Sequence, residues 1–239
     1  MSSVNISVRI GRGFRDLVEE IQSARKRVWV MSPWISPEYA QLLVRKASEG
    51  VDVRVFTTDD LGNRSHVGGL MELIEARRVV IRPASPLARR LGFILFLLGL
   101  VAVFIVLPAG VLMMIAGAAI YLMWGRDRLG IRYFSKVGEG RLVIYHSEPL
   151  NMVHAKIYVV DDHAAVGSVN FTRSGVESNF ECLVKIRDPL VVEEIVNRLG
   201  SLGNDPELRE IPVDKIGWEI LPVEEKSRIM GLIESLFKR

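Results

Sequence analysis

Two short stretches in the second half of the chain concentrate reactive side chains. They are His154-Ala155-Lys156-Ile157-Tyr158-Val159-Val160-Asp161 and Gly167-Ser168-Val169-Asn170. In a strand, alternate side chains share a face. A strand over residues 153–160 puts His154 and Lys156 on one side and turns Val153, Ala155, Ile157 and Val159 into apolar packing. Asp161 falls out of phase with His154, where the strand must turn. A second strand over 164–170 puts Ser168 and Asn170 on one face, so that the two polar pairs converge across a hairpin. An imidazole, an ammonium, a hydroxyl and an amide at one spot suit a phosphate. Lys, Ser and Asn bind nonbridging oxygens, while His attacks phosphorus or moves a proton.

The elements needed to hold such a hairpin are legible on both sides of it. Residues 4–10, 27–32, 51–57 and 79–82 read as strands. Helical spacing links Phe14, Leu17, Val18, Ile21 and Ala24. Ser36-Pro37 reads as an N-cap followed by proline in the first turn of a helix that runs to Gly50. A weaker helix covers 66–77. Later strands fall at 141–146 and 180–186. Asp188-Pro189 caps a helix ending near Gly200, 201–221 is loop-like, and Val223, Ile229, Met230, Ile233, Leu236 and Phe237 suggest a last amphipathic helix. Alternating strands and helices imply an α/β layered domain.

This pattern is interrupted by residues 91–125, 35 consecutive positions without a charge. A run this long reads as a membrane segment. One straight helix would be about 50 Å long against roughly 30 Å of hydrocarbon. Pro108-Ala109-Gly110 in its middle is turn chemistry, giving helices over 91–107 and 111–124. The flanking strands must share one sheet, so the chain has to return to the side it left. Arg89 and Arg90 precede the block and Arg126, Arg128 and Arg132 follow it, which places both flanks, the soluble domain and both termini on the cytoplasmic side.

Composition narrows the alternatives. The chain has 239 residues, 49% hydrophobic and 25% charged, with 31 basic against 28 acidic residues. A net charge of +3 without a long run of like charge does not indicate a nucleic-acid-binding tail. Cys182 is the sole cysteine, so no intrachain disulfide forms, and no Cys/His cluster has zinc spacing.

The pattern H-x-K-x4-D followed by G-S-x-N resembles the phospholipase D superfamily, the HKD phosphodiesterases. The match extends to Phe171-Thr172 and to Glu181, eleven residues after Asn170. The early strand, Ser-Pro-Trp-Ile-Ser-Pro, helix and VDVRVF segment also looks like that family's N-terminal half. The implied fold is a phospholipase D-like α/β/α sandwich with a mixed sheet, interrupted by an inserted transmembrane helical hairpin. Residues 1–88 and 129–203 would form the domain, 89–128 the membrane hairpin, and 204–239 a C-terminal extension with an amphipathic helix.

The superfamily works with two motifs face to face, and this chain has one. The resemblance therefore implies a homodimer with one composite site, as in the single-motif bacterial nucleases and the mitochondrial member. His154 of one subunit would form a phosphohistidine and that of the other would protonate the leaving oxygen. Lys156, Ser168 and Asn170 would stabilise the phosphoryl charge, Glu181 would fix the imidazole tautomer, and Asp161 would order the hairpin. The resemblance implies no metal and no cofactor. The expected activity is that of a membrane-anchored phosphodiesterase on phospholipid head groups. A single-stranded DNA or RNA endonuclease and a non-catalytic membrane scaffold are the alternatives. His146, Trp34 and Tyr39 read as structural or pocket-wall residues.

Overall fold

The computed structural model describes residues 5–148 and 152–221. The last amphipathic helix expected from Val223 onward lies outside them. The described residues divide into two compact units, one drawn from Met1–Ala76 with Tyr133–Arg239 and the other formed by Arg77–Arg132.

The first unit is built on an eight-stranded sheet. Its strands are β1 (Ile6–Gly11), β2 (Arg27–Met31), β3 (Asp52–Thr58), β6 (Leu142–Tyr145), β7 (Lys156–Val160), β8 (His163–Gly167), β9 (Glu181–Ile186) and β10 (Glu210–Ile211), in the order β1-β9-β8-β7-β2-β3-β6-β10. β2, β3 and β6 run parallel, and every other neighbouring pair is antiparallel. The sheet is mixed, as expected for the α/β class.

Helix α6 (Pro189–Ser201) covers one face. Its Val192 and Leu199 pack in a cluster with Trp29, Met31, Val159 and Ala164. The other face carries α1 (Arg15–Ser23), α2 (Pro37–Ser48) and α3 (Arg64–Leu73). There Tyr39 of α2 stacks on Phe171 at 4.7 Å, and Phe171 meets Tyr158 of β7 edge-on at 5.7 Å. Lys185 of β9 reaches Asp16 and Glu20 of α1 at 2.6 and 3.0 Å.

Several local expectations need correction. α3 stops at Leu73, and the chain passes directly into β4 (Ile74–Arg82), which pairs with β5 (Arg128–Ser135), a strand the sequence reading did not place. Residues 201–221 are not a loop. They hold a short 3-10 turn, β10 and α7 (Val213–Ile220), where Gly217 presses on the ring of Tyr133. Ser36 sits at the N-cap of α2, but its hydroxyl does not cap that helix; it accepts the Arg173 N–H at 3.0 Å.

In the second unit, α4 (Pro86–Ala102) and α5 (Leu107–Trp124) form an antiparallel pair. The reversal falls at residues 103–106, not at Pro108-Ala109-Gly110. Proline is tolerated in the first turn of a helix because its missing N–H has no partner there, so Pro108 starts α5. The only buried residues of the pair are Gly92, Gly99, Gly110 and Gly117. A Cβ at Gly117 would lie 2.5 Å from Phe96 N, and one at Gly99 would lie 2.6 Å from Met114 N, so the two backbones touch through glycine. Among the described residues α5 is the one helix long and apolar enough to cross a membrane, with mean hydropathy 1.8.

Candidate active site

β8 ends at Gly167, where the neighbouring backbone comes too close for a side chain. A Cβ there would lie 2.0 Å from the Cys182 carbonyl oxygen. The segment that follows is then tied to the loop after β2. Phe171 N–H donates to Ser32 Oγ at 3.0 Å, Ser36 N–H to the Phe171 carbonyl at 3.0 Å, and Tyr158 Oη to the Val169 carbonyl at 2.7 Å. These bonds fix residues 168–173 beside residues 32–36.

His154 precedes β7 instead of lying within it, so the expected shared strand face is not what joins it to Lys156. Lys156 is buried at the first position of the strand, and its ammonium folds back onto the exposed histidine. Nζ donates to the His154 carbonyl at 2.6 Å and lies 2.8 Å from Nδ1 and 3.1 Å from Nε2. Partial desolvation, and then the Lys156 charge, hold the imidazole below the ordinary histidine pKa. Burial likewise lowers Lys156, and the Glu181 carboxylate offsets part of that shift. A neutral imidazole beside an ammonium is a nucleophile next to an anion-binding charge.

Trp34 forms the wall of this pair. Its ring meets His154 edge-on at 5.9 Å and 83°, and its Nε1 donates to Asp60 at 2.8 Å. Behind it His66 is fully buried and neutral in role, accepting the Ile35 N–H at Nδ1 (3.1 Å) and donating from Nε2 to the Thr58 carbonyl (2.8 Å). Burial pulls its pKa down. Asp60 and His66 were not singled out from sequence. Only the chain reversals after β2 and β3 bring them to Trp34, and no local spacing marks them.

Ser168 and Asn170 also lie beyond their strand. The Ser168 hydroxyl donates to Glu181 Oε2 and accepts the Cys182 N–H at 3.0 Å. Glu181 Oε1 takes Asn179 Nδ2 at 3.2 Å. Its two oxygens are therefore held by Ser168 and Asn179, and the expected bond to the His154 ring is not made within this chain. Asn170 Oδ1 is buried without a hydrogen-bond partner among the described residues. Asn170 lines a cavity of about 510 Å³ together with Trp34, Ser36, Asn63, Ser65 and Thr172.

Asp161 stands at the far end of β7, roughly 16 Å of strand from Lys156. Its backbone has φ +47°. Its carboxylate accepts the N–H groups of Arg25, Lys26 and Arg27 at 2.7–3.2 Å. Burial raises its pKa, but these three donors outweigh it and hold the carboxyl below the usual range. It positions the β7–β8 turn against β2. No group of three or more His, Cys, Asp or Glu side chains suited to a metal ion occurs among the described residues.

The stretch that carries this site is similar to the phospholipase D superfamily. The family model described as "Cardiolipin synthase, PLD-like domain" matches residues 103–202, which include the whole His-Lys-Asp and Gly-Ser-Asn constellation. Superfamily members are phosphodiesterases and phosphotransferases.

Three solved structures are similar. Nuc, a phospholipase D family member from Salmonella typhimurium, is 15% identical over 87% of this chain and 99% of that one, with a TM-score of 0.46. NucT from Helicobacter pylori is 12% identical over 87% and 100%, with a TM-score of 0.48. Phosphatidylserine synthase from Haemophilus influenzae is 12% identical over 98% of this chain and 47% of that one, with a TM-score of 0.46. No curated protein sequence matches the chain.

Proposed function

We propose that the protein is a membrane-anchored phosphodiesterase that cleaves or exchanges phospholipid head groups at a composite site formed by two copies of the chain. The pairing of Lys156 with His154 carries the chemical part of this reading. A substrate phosphoryl oxygen takes over the Lys156 ammonium, which frees the imidazole lone pair. His154 forms an N–P bond as the P–O bond to the leaving group breaks. The second copy's His154, which takes up a proton from solvent as the bound phosphate anion raises its pKa, gives that oxygen its proton. The same imidazole then takes a proton from water or an alcohol, whose oxygen attacks phosphorus and releases His154. Ser168, Asn170 and Lys156 hold the equatorial oxygens while charge accumulates.

The lipid part rests on the α4–α5 pair. Its apolar side chains face outward around the whole hairpin, Phe104 and Ile105 being 87% and 80% exposed, while only glycines are buried. Such a surface belongs in hydrocarbon, and close glycine packing is how helices associate there. A tether of this kind keeps the enzyme among phospholipids, with both arginine-rich flanks on the cytoplasmic side.

The test uses the full chain in detergent, supplied with phosphatidylglycerol vesicles in EDTA. Head-group release or exchange is expected, abolished in His154→Asn, with single-stranded oligonucleotides left intact. Rapid oligonucleotide cleavage with untouched lipid would replace this reading with the nuclease one.

A further inference from the structure

Charge is distributed very unevenly along the chain. Between Arg77 and Arg132 there are eight arginines, no lysine and one acid, Asp127, a net of +7. The remaining residues, with 23 basic and 27 acidic side chains, carry −4. The overall +3 therefore conceals a strongly cationic unit joined to an acidic one.

All of that positive charge sits at one end of the α4–α5 pair. Arg89 and Arg90 lie in the opening turns of α4, and Arg126 and Arg128 follow α5. Arg78 and Arg82 lie on β4, which pairs with β5. The two helix ends are tied together by Ser85 N–H to the Trp124 carbonyl (2.8 Å) and Ala84 N–H to Asp127 Oδ1 (2.7 Å). One oxygen of the single acid is thus engaged by backbone. Among the described residues no ion pair involves any of these six arginines. Arg82 Nη2 is buried without a hydrogen-bond partner among the described residues. A buried guanidinium nitrogen left without an acceptor is costly, and an anionic oxygen satisfies it.

The same surface is apolar between its charges. Val80, Ile81 and Leu129 are exposed on the ribbon, and Trp124 is half-exposed at the hairpin root. Cations alternating with aliphatic side chains, at the root of an apolar hairpin, match the layer where phosphate groups meet acyl chains.

We infer that the β4–β5 ribbon and the adjoining helix ends form a collar that binds anionic phospholipid head groups in preference to zwitterionic ones. Arginine suits this because its fork engages two phosphate oxygens at once, which a lysine ammonium cannot do. The inference goes beyond the proposed activity and rests on it only in placing the hairpin in a bilayer. The collar lies in the unit that holds none of the residues of the candidate active site.

The probe is an equimolar mixture of phosphatidylglycerol and phosphatidylcholine. The full chain is exchanged into mixed micelles of the two lipids, repurified, and its bound lipid quantified. Each basic residue near an anionic surface raises partition about fivefold before salt screening. Phosphatidylglycerol should be retained over phosphatidylcholine by about tenfold or more, less so as salt rises. The quadruple variant Arg78→Gln, Arg82→Gln, Arg126→Gln, Arg128→Gln should retain both lipids equally. Wild-type retention without preference, or a quadruple variant that keeps it, overturns the inference. So does a preference that an excess of single-stranded oligonucleotide abolishes in the wild type while the lipid-free protein binds that oligonucleotide through the same four arginines. Alkaline carbonate extraction of membranes reads the anchor separately. Extraction of the wild type into the soluble fraction refutes the hairpin reading, and a persisting phosphatidylglycerol preference in that case still supports the collar.

Discussion

Lys156 Nζ lies 2.8 Å from His154 Nδ1 and 2.6 Å from the carbonyl oxygen of the same residue. One ammonium thus fixes both the backbone and the ring of the proposed nucleophile. Partial desolvation first, and then this contact, favour the neutral imidazole, and the sign of the shift is testable. Because the folded pKa lies below the ordinary value of 6.5, His154 stays deprotonated until the pH falls below that value. The acidic limb of kcat/KM should therefore lie under 6.5. In Lys156→Met the limb should move upward while kcat falls on the order of 10²–10³-fold. A pH profile with generic phosphodiester substrate checks both, and an unmoved limb would show that the two groups are not coupled.

The Ser168–Glu181 bond gives a second expectation. Ser168 is exposed, so its removal costs little stability, below about 1 kcal/mol. It also organises Glu181 and the Cys182 N–H beside Lys156. Ser168→Ala should lower kcat/KM by roughly 10–10²-fold with Tm nearly unchanged. A large Tm loss with normal turnover would make this bond structural.

Asp161 is expected to behave in the opposite way. Truncating it to alanine leaves the N–H groups of Arg25, Lys26 and Arg27 short of an acceptor and keeps a strained φ, a loss of about 2–3 kcal/mol. The neighbouring Asp162, in an exposed pair with Lys26, should cost within about 0.5 kcal/mol. The folded pKa of Asp161 is depressed, so its stabilisation is complete above the unfolded value near 3.8 and is lost as pH falls through the folded value. Denaturant unfolding as a function of pH should show a flatter acid limb in Asp161→Ala than in wild type.

Much of this arrangement could be read from the residues alone. Strand alternation and Ser36-Pro37 and Asp188-Pro189 located most strands and helices of the sheet domain, and the motif residues were found by type and spacing. What local pattern could not supply were contacts made across chain reversals. The Trp34–Asp60 bond and the buried His66 depend on β2 and β3 lying side by side. Ser168 and Asn170 have the spacing of a strand face, but the strand ends at Gly167, at a close approach to β9 that only the folded register creates. The turn expected at Pro108-Ala109-Gly110 fell four residues early because proline also starts helices, and glycine at 110 serves packing against Val103.

That glycine packing yields its own prediction. A leucine at Gly117 would drive its Cβ into the Phe96 backbone. Gly117→Leu should splay the hairpin and expose residues 103–106 to added protease in membranes, while the outward-facing Leu112→Ala should not. Equal cleavage in both variants would contradict the close packing.

Composite-site catalysis has a stoichiometric signature. When wild type and His154→Asn are mixed randomly in equal amounts, about a quarter of dimers carry both imidazoles. Activity should fall to about that fraction if both are required, and to about half if each chain works alone.

The central claim, nucleophilic attack by His154, is read most directly by an alkaline denaturing quench of full-length protein during turnover of a substrate labelled at phosphorus. The expected result is an acid-labile, base-stable label on the peptide containing His154, formed and discharged at the rate of turnover and missing from His154→Asn. Undiminished turnover with no label on that peptide would contradict it.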